Sequence, residues 1–203
     1  MAGGTNIGTE YIGPTPKAGR WRDLSFILEG PAVSHYVELF RSDWKFATGE
    51  SFAIDEERTF SVSCEGEGAI VQVVPSGPDM IGDSLYDAII SMVFMAKERI
   101  WIVTPYFIPD DPLSQALSLA AHRGVDVRVL VPEKSNHFVT DFARGASLRD
   151  IQEAGGEILL YTEGMMHAKA MLVDHEIAMI GSANIDIRSL FLDYEVSLFI
   201  YSE

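Results

Sequence analysis

The sequence predicts an α/β fold: a layered, mixed β-sheet flanked by helices. Three observations predict it. Short apolar runs such as Ile100-Trp101-Ile102-Val103-Thr104 and Val125 to Val131 have the length and branching of buried strands. Between them lie stretches with apolar residues at helical spacing, closed by Gly124 and by Gly155-Gly156. The last third then runs strand after strand without a helix of comparable length, so the sheet is expected to be mixed rather than purely parallel. With 203 residues, 47% apolar and 22% charged, the chain is large enough to bury a core.

The first twenty residues, rich in Gly, Thr and Pro around Gly13-Pro14-Thr15-Pro16, read as loop. Asp23 to Glu29 alternates enough for a strand, and Gly30-Pro31 ends it. From Ala32 to Phe46, Val33, Val37, Phe40 and Trp44 recur at helical spacing. Glu50 to Glu67 carries six acids against one arginine with little periodicity, and reads as a solvated connector. Ile70 to Val74 is a short strand closed by Pro75-Ser76-Gly77-Pro78. Asp83 or Ser84 can cap a helix through Glu98, with Leu85, Ile89, Met92 and Ala96 on one face. After the strand at 100–104 come a helix from Pro112 to Arg123, the strand at 125–131 and a helix from Phe138 to Ala154. Strands are expected at Glu157–Tyr161, His167–Val173, Ile177–Ile180 and Tyr194–Tyr201.

Charge narrows the function. Fifteen basic against thirty acidic residues give −15, with no basic cluster, so the chain is a poor general nucleic-acid binder. The single cysteine, Cys64, excludes an intrachain disulfide and a cysteine-based zinc site. The opening residues have neither the basic nor the apolar region of a signal peptide. The longest apolar stretch, Ile89 to Ala96, falls far short of the ~20 residues a bilayer span needs. Both ends look cut, and the chain reads as a segment of a longer protein.

The chemistry concentrates between 167 and 195. In Met166-His167-Ala168-Lys169, strand alternation puts His167 and Lys169 on one face about 7 Å apart. Asp174 has the opposite parity and suits a supporting salt bridge. A histidine and a lysine facing a turn with Ser182 and Asn184 make a phosphate site. Lys169 supplies positive charge, Ser182 and Asn184 supply neutral donors, and His167 is nucleophile or proton carrier. Lys169 does the cation's work, so no metal is needed and no cofactor is implied. An isolated His-x-Lys is more often structural. The fuller His-x-Lys-x4-Asp arises by chance in roughly one such chain in a hundred, and Gly181-Ser182-Ala183-Asn184 downstream makes coincidence far rarer.

These residues resemble the phospholipase D superfamily, whose His-x-Lys-x4-Asp motif is followed by Gly-Ser-x-Asn. The resemblance implies that two such motifs, one from each half of a pseudo-symmetric fold, build one site, with a phosphohistidine on one histidine and the other protonating the leaving oxygen. By position, His167 is one of that pair, Lys169 and Asn184 hold phosphate oxygens, Ser182 sits in the small-residue turn and Asp174 is the supporting acid. Thr104 to Asp110, Arg123 to Arg128, Asn184 to Ser189 and Glu29 to Val33 resemble bacterial cardiolipin synthases within that superfamily. Asn136 stands where an acid is common and Asp193 where an asparagine is common.

An internal echo accompanies the motif. Gly3-Gly4-Thr5-Asn6 parallels Gly181-Ser182-Ala183-Asn184, and Asp23 to Leu28 parallels Glu195 to Ile200. Asn6 and Asp23 are thus expected to be remnants of a first motif. A carboxylate opening such a strand can accept the Nδ1–H of a catalytic histidine. The expectation assigns Glu195 to His167 and Asp23 to a histidine of the absent half. Of the other histidines, His137 precedes a helix and could approach the phosphate, while His35, His122 and His175 read as structural or solvated.

The organisation expected is a remnant of the first half at 1–22, a connecting strand, helix and acidic linker at 23–68, and a second phospholipase D-like domain at 69–203. The function implied is a phosphatidyltransferase making cardiolipin from two phosphatidylglycerols, this chain supplying the second half of the site. The alternatives are a phospholipase D-type phosphodiesterase and a catalytically inactive lipid-binding fragment. The partners implied are phosphatidylglycerol and, through other segments of a parent protein, the bacterial cytoplasmic membrane; a homodimer is possible and nucleic acid is not expected.

Overall fold

A computed structural model describes residues 1–14, 19–53 and 68–202. Thr15-Pro16, Cys64 and the acidic connector from 54 to 67 lie outside the described residues. The architecture is the mixed, helix-flanked sheet the sequence predicts. In chain order the elements are β1 (Ala2–Gly3), β2 (Ser25–Phe26), α1 (Val33–Thr48), β3 (Ile70–Ser76), α2 (Ser84–Met95), β4 (Arg99–Val103), β5 (Phe107–Ile108) and α3 (Asp111–His122). Then follow β6 (Asp126–Pro132), α4 (Phe138–Glu153), β7 (Glu157–Tyr161), β8 (Ala170–Val173), β9 (Ile177–Gly181), β10 (Ile185–Asp186), α5 (Ile187–Phe191) and β11 (Glu195–Tyr201).

Seven strands form one sheet in the order β3-β11-β9-β8-β4-β6-β7. Strands β4, β6 and β7 are parallel, joined by the crossover helices α3 and α4, and the remaining neighbours pair antiparallel. The core lies between this sheet and α2, α3 and α4. Ile100 and Ile102 of β4, Val127, Val129 and Val131 of β6 and Met171 and Val173 of β8 meet Leu85, Ile89, Leu117 and Ile151 there. On the opposite face Trp101 is flanked by the guanidinium groups of Arg99 at 4.7 Å and Arg128 at 5.1 Å, and Leu172 is 39% exposed. Alternation along each strand divides the two faces.

The helix boundaries follow local chemistry. Asp110 caps α3, its carboxylate accepting the Leu113 N–H, with Pro112 in the first turn, where no donor is needed. Helix α2 stops at Met95, short of the expected Glu98, because Ala96 turns to an extended conformation that feeds β4. Helix α1 has the expected apolar spacing yet buries none of its residues. The strand expected over 23–29 shrinks to Ser25–Phe26, which pairs only with Ala2–Gly3.

Register sets where function can gather. Strand β4 ends opposite the start of β8, Val103 facing Ala170, and β9 ends beside that point, Ile180 facing Ala170. β11 begins at the same edge, Ser197 facing Gly181. The segments after β4, before β8, after β9 and before β11 therefore converge on one edge of the sheet. Asp174, at the other end of β8, sits on the opposite edge. Among the described residues, no helix is long and apolar enough to cross a membrane.

Candidate active site

His167 and Lys169 belong to the segment that enters β8, not to the ladder itself, because β4 has ended by that point. Residues 165–167 instead run beside Arg22. The Arg22 amide donates to the Met165 carbonyl at 2.8 Å, and the His167 amide donates to the Arg22 carbonyl at 2.5 Å. Both side chains fall on one side, as alternation requires. Both are buried, at 7% and 4% exposure.

The Nδ1 of His167 lies 2.7 Å from an oxygen of Asp23 and 2.7 Å from Nζ of Lys169. The carboxylate can only accept and the ammonium can only donate. Lys169 has a second acceptor in the His167 carbonyl at 2.5 Å, so the assignment that satisfies both groups puts the Nδ1 proton toward Asp23. That tautomer leaves the Nε2 lone pair free. Lys169 Nζ is 3.2 Å from Nε2, so cation and lone pair face the same space. Burial lowers the Lys169 pKa to about 8, against the opposing pull of Asp23, Glu195 and Asp186.

This pairing corrects the sequence expectation. Glu195 does not hold His167; Asp23 does. The reason is chain path: residues 20–24 are hydrogen-bonded alongside 165–167, whereas β11 delivers Glu195 next to the end of β9. Glu195 accepts hydrogen bonds from Ser182 and Ser189 there, and burial raises its pKa. Ser182 also receives the Val196 amide at 3.0 Å, so it is built into the turn. Asn184 donates to the Ser189 hydroxyl at 3.1 Å and lines a cleft with Tyr106 and His137, and among the described residues no hydrogen bond joins it to His167 or Lys169.

Asp174 stands outside the pocket, as its parity suggests, but its expected partner is corrected. It forms no supporting salt bridge among the described residues. Its carboxylate accepts the backbone amides of Lys97, Glu98 and Arg99 at 2.8–3.3 Å, at a φ of 52° that aspartate tolerates better than most residues. It clamps the start of β4 to the end of β8, away from the histidine. Asn6 is at the site's rim, its amide donating to the Tyr11 hydroxyl at 3.3 Å.

Sequence reasoning missed Tyr11 and Trp21 in the aromatic wall around His167. The Tyr11 hydroxyl sits 3.1 Å from Nδ1 and 3.3 Å from Nε2 of His167, and burial raises its pKa to about 12, so it stays a neutral phenol. Trp21 lies across the imidazole with centroids 5.2 Å apart, and Tyr106 meets it edge-on at 6.3 Å. Tyr106 has a sequence signal, since it follows the carboxyl end of a parallel strand, where α/β sites gather. Tyr11 and Trp21 have none beyond their position after the glycine-rich opening.

The internal echo has a structural counterpart. Gly3 faces Ser25 as Gly181 faces Ser197, and the next amide, Gly4 or Ser182, donates to the carbonyl of Leu24 or Val196. At both glycines an added Cβ would run into that carbonyl and the following Cα, so only glycine fits.

The sequence matches the family described as "Cardiolipin synthase, PLD-like domain" over residues 89–203. The chain belongs to this phospholipase D-like family. A protein named a probable cardiolipin synthase in Bacillus subtilis is 41% identical over 199 residues, which is 98% of this chain and 39% of that protein. A cardiolipin synthase of Alkalihalophilus pseudofirmus is 40% identical over 202 residues, 99% of this chain and 40% of that one. The chain thus spans about 40% of the length of these relatives. Among solved structures, the phospholipase D family member Nuc from Salmonella typhimurium superposes with a TM-score of 0.56 at 24% identity, covering 66% of this chain and 84% of that one. Phosphatidylserine synthase from Haemophilus influenzae gives 0.54 at 18% identity over 84% of this chain and 42% of that one. Both likenesses concern the fold.

Proposed function

We propose that this chain carries half of a phosphatidyl-transfer site of the cardiolipin synthase type. The observation that supports the reading is His167, held at Nδ1 by Asp23, with its Nε2 turned to the Lys169 ammonium at 3.2 Å and the Tyr11 hydroxyl at 3.3 Å. Nε2 attacks the phosphorus of phosphatidylglycerol, the P–O bond to glycerol breaks, and the phosphatidyl group rests on the histidine. Lys169 neutralises the charge gathering on the phosphoryl oxygens. The glycerol oxygen leaves with a proton from the second histidine of the parent site. The hydroxyl of a second phosphatidylglycerol then gives up its proton and takes the phosphatidyl group, which restores His167 and yields cardiolipin. The echo supports a two-fold arrangement in which Glu195 serves the counterpart histidine as Asp23 serves His167. We read 1–22 as the end of the first repeat, 23–68 as the connection and 69–203 as the second domain.

The test is direct detection of the intermediate. Chain incubated with phosphatidylglycerol vesicles and quenched without acid should carry one phosphatidyl group on His167, seen by mass and by a phosphoramidate 31P signal. His167→Ala should abolish it, and Lys169→Met should slow its formation by about 10²-fold. An adduct on another residue, or none on folded protein, sinks the reading.

A further inference from the structure

Tyr11 has no task in the transfer described above, yet the chain fixes it against the nucleophile. Its amide and that of Ile12 donate to the Gly8 carbonyl at 3.1 and 3.0 Å, and the Trp21 amide donates to the Glu10 carbonyl at 2.9 Å. Its ring packs edge-on to Trp21 at 5.1 Å and to the His167 imidazole at 5.3 Å. Backbone and ring contacts together leave the hydroxyl little freedom.

That hydroxyl stands 3.1 Å from Nδ1 and 3.3 Å from Nε2 of His167. An oxygen so nearly equidistant from both nitrogens cannot lie in the plane of the ring, where Cε1 stands between them, so it sits over the face. The Nε2 lone pair lies in the plane. Tyr11 therefore leaves open the line along which phosphorus approaches Nε2 and stands to one side of it. Lys169 Nζ is 3.2 Å from the same nitrogen, so an ammonium and a hydroxyl stand at matching distances from the attacking atom. Proton accounting leaves the hydroxyl able to donate. Its oxygen accepts from the Asn6 amide at 3.3 Å, and Nδ1, its proton turned to Asp23, has no lone pair to offer. Burial raises the phenol pKa to about 12, which keeps the proton on the oxygen at neutral pH.

We propose that Tyr11 is a further catalytic residue, its hydroxyl donating a hydrogen bond to a non-bridging phosphoryl oxygen as phosphorus bonds to Nε2 of His167. This deepens the transfer reading above and rests on it. As the N–P bond forms and the P–O bond to glycerol breaks, negative charge gathers on the non-bridging oxygens. Lys169 meets it with a full charge and Tyr11 with a fixed dipole. The phenolic proton stays on its oxygen throughout, and the departing glycerol takes its proton elsewhere.

Tyr11→Phe removes the oxygen and keeps the ring against Trp21. It should slow formation of the phosphatidyl adduct on His167 from phosphatidylglycerol vesicles by about 10²-fold. It should also weaken binding of inorganic phosphate, followed by 31P NMR, by roughly tenfold, the loss of a hydrogen bond to a charged acceptor. The 15N shifts of the His167 ring should keep the Nδ1–H pattern, because Asp23 sets it. A 3,5-difluorotyrosine at position 11 keeps the donor's shape but ionises at lower pH. Its adduct formation should fall with rising pH where the native phenol still holds its proton. Equal adduct rates in the native chain and Tyr11→Phe overturn the proposal and leave the transfer reading standing. So does a pH profile that difluorotyrosine leaves unchanged, or loss of the Nδ1–H pattern in Tyr11→Phe, which would make Tyr11 a support for the imidazole alone. A native chain that forms no adduct sinks the transfer reading, and phosphate then decides for Tyr11: roughly tenfold weaker binding in Tyr11→Phe retains it as a phosphate donor, and unchanged or undetectable binding removes it.

Discussion

Nδ1 of His167 touches a carboxylate and an ammonium at the same 2.7 Å distance, and the electronics of those two groups decide its proton. Asp23 can only accept, so it fixes the Nδ1–H tautomer. Removing it in Asp23→Ala should move the imidazole toward the Nε2–H form, read from the 15N shifts of the two ring nitrogens. Glu195→Gln should leave those shifts unchanged, because Glu195 hydrogen-bonds Ser182 and Ser189 instead. The reverse pattern would restore the pairing that the sequence suggests. Lys169 gives a second test, in pH. Its folded pKa is about 8 against 10.5 in a free lysine, so between those values the unfolded chain binds more protons than the native one. Stability is therefore lowered below about pH 8, on the order of 3 kcal/mol, and recovers as pH rises toward 10.5. Urea unfolding should find Lys169→Met more stable than the native sequence at about pH 7, with the gap closing by about pH 10. A gap that is constant across that range would mean that Lys169 is not held at a cost.

The β8 strand holds the two ends of this arrangement. His167 and Lys169 enter it at the functional edge, and Asp174 leaves it at the other, accepting three backbone amides from the chain entering β4. Asp174→Ala removes those acceptors and puts a less tolerant residue at a φ of 52°. It should lower unfolding stability by about 2 kcal/mol. The same variant should leave inorganic phosphate binding at His167 within about twofold, because Asp174 touches nothing there. Severe loss of phosphate binding in folded protein would return Asp174 to the site. The sequence shows its motif residues clearly but not their division of labour, since spacing is blind to which edge of a sheet a residue reaches. Most strands and helices from 70 to 201 are legible from their periodicity, but β3 runs on through Pro75 to Ser76, which the sequence reads as its stop, and β8 begins at Ala170 rather than His167. The two-residue strands β5 and β10 and the short helix α5 are not legible, because nothing that brief has a period. The crossing of Asp23 to His167 is a contact between residues 144 apart in sequence. It depends on how residues 20–24 lie beside 165–167, which no local pattern encodes.

At the scale of the molecule, the two glycine turns repeat one geometry, which supports the two-fold arrangement proposed above. Gly3 and Gly181 make the same close approach, and Asp23 and Glu195 open the corresponding downstream segments. Asp23 has an imidazole at 2.7 Å, while Glu195, among the described residues, is held by serines and by the distant charge of Lys169. One His-x-Lys-x4-Asp is present in the sequence. In the proposed transfer His167 is the nucleophile and the glycerol oxygen needs a proton as it leaves, a task for which the neutral phenol of Tyr11, with its pKa near 12, is a weak acid. Removing one member of a cooperating acid–base pair eliminates most of the rate. The chain alone should therefore release glycerol slowly, approach one equivalent per chain as His167 becomes loaded, and then stall. Glycerol release measured against chain concentration, with sizing of the same samples, reads this. Sustained release that climbs with the square of concentration, in samples that size as dimers, would mean that two copies assemble a complete site. Sustained release by a chain that sizes as a monomer would show that one motif suffices, and the two-fold reading of Glu195 would fall with it.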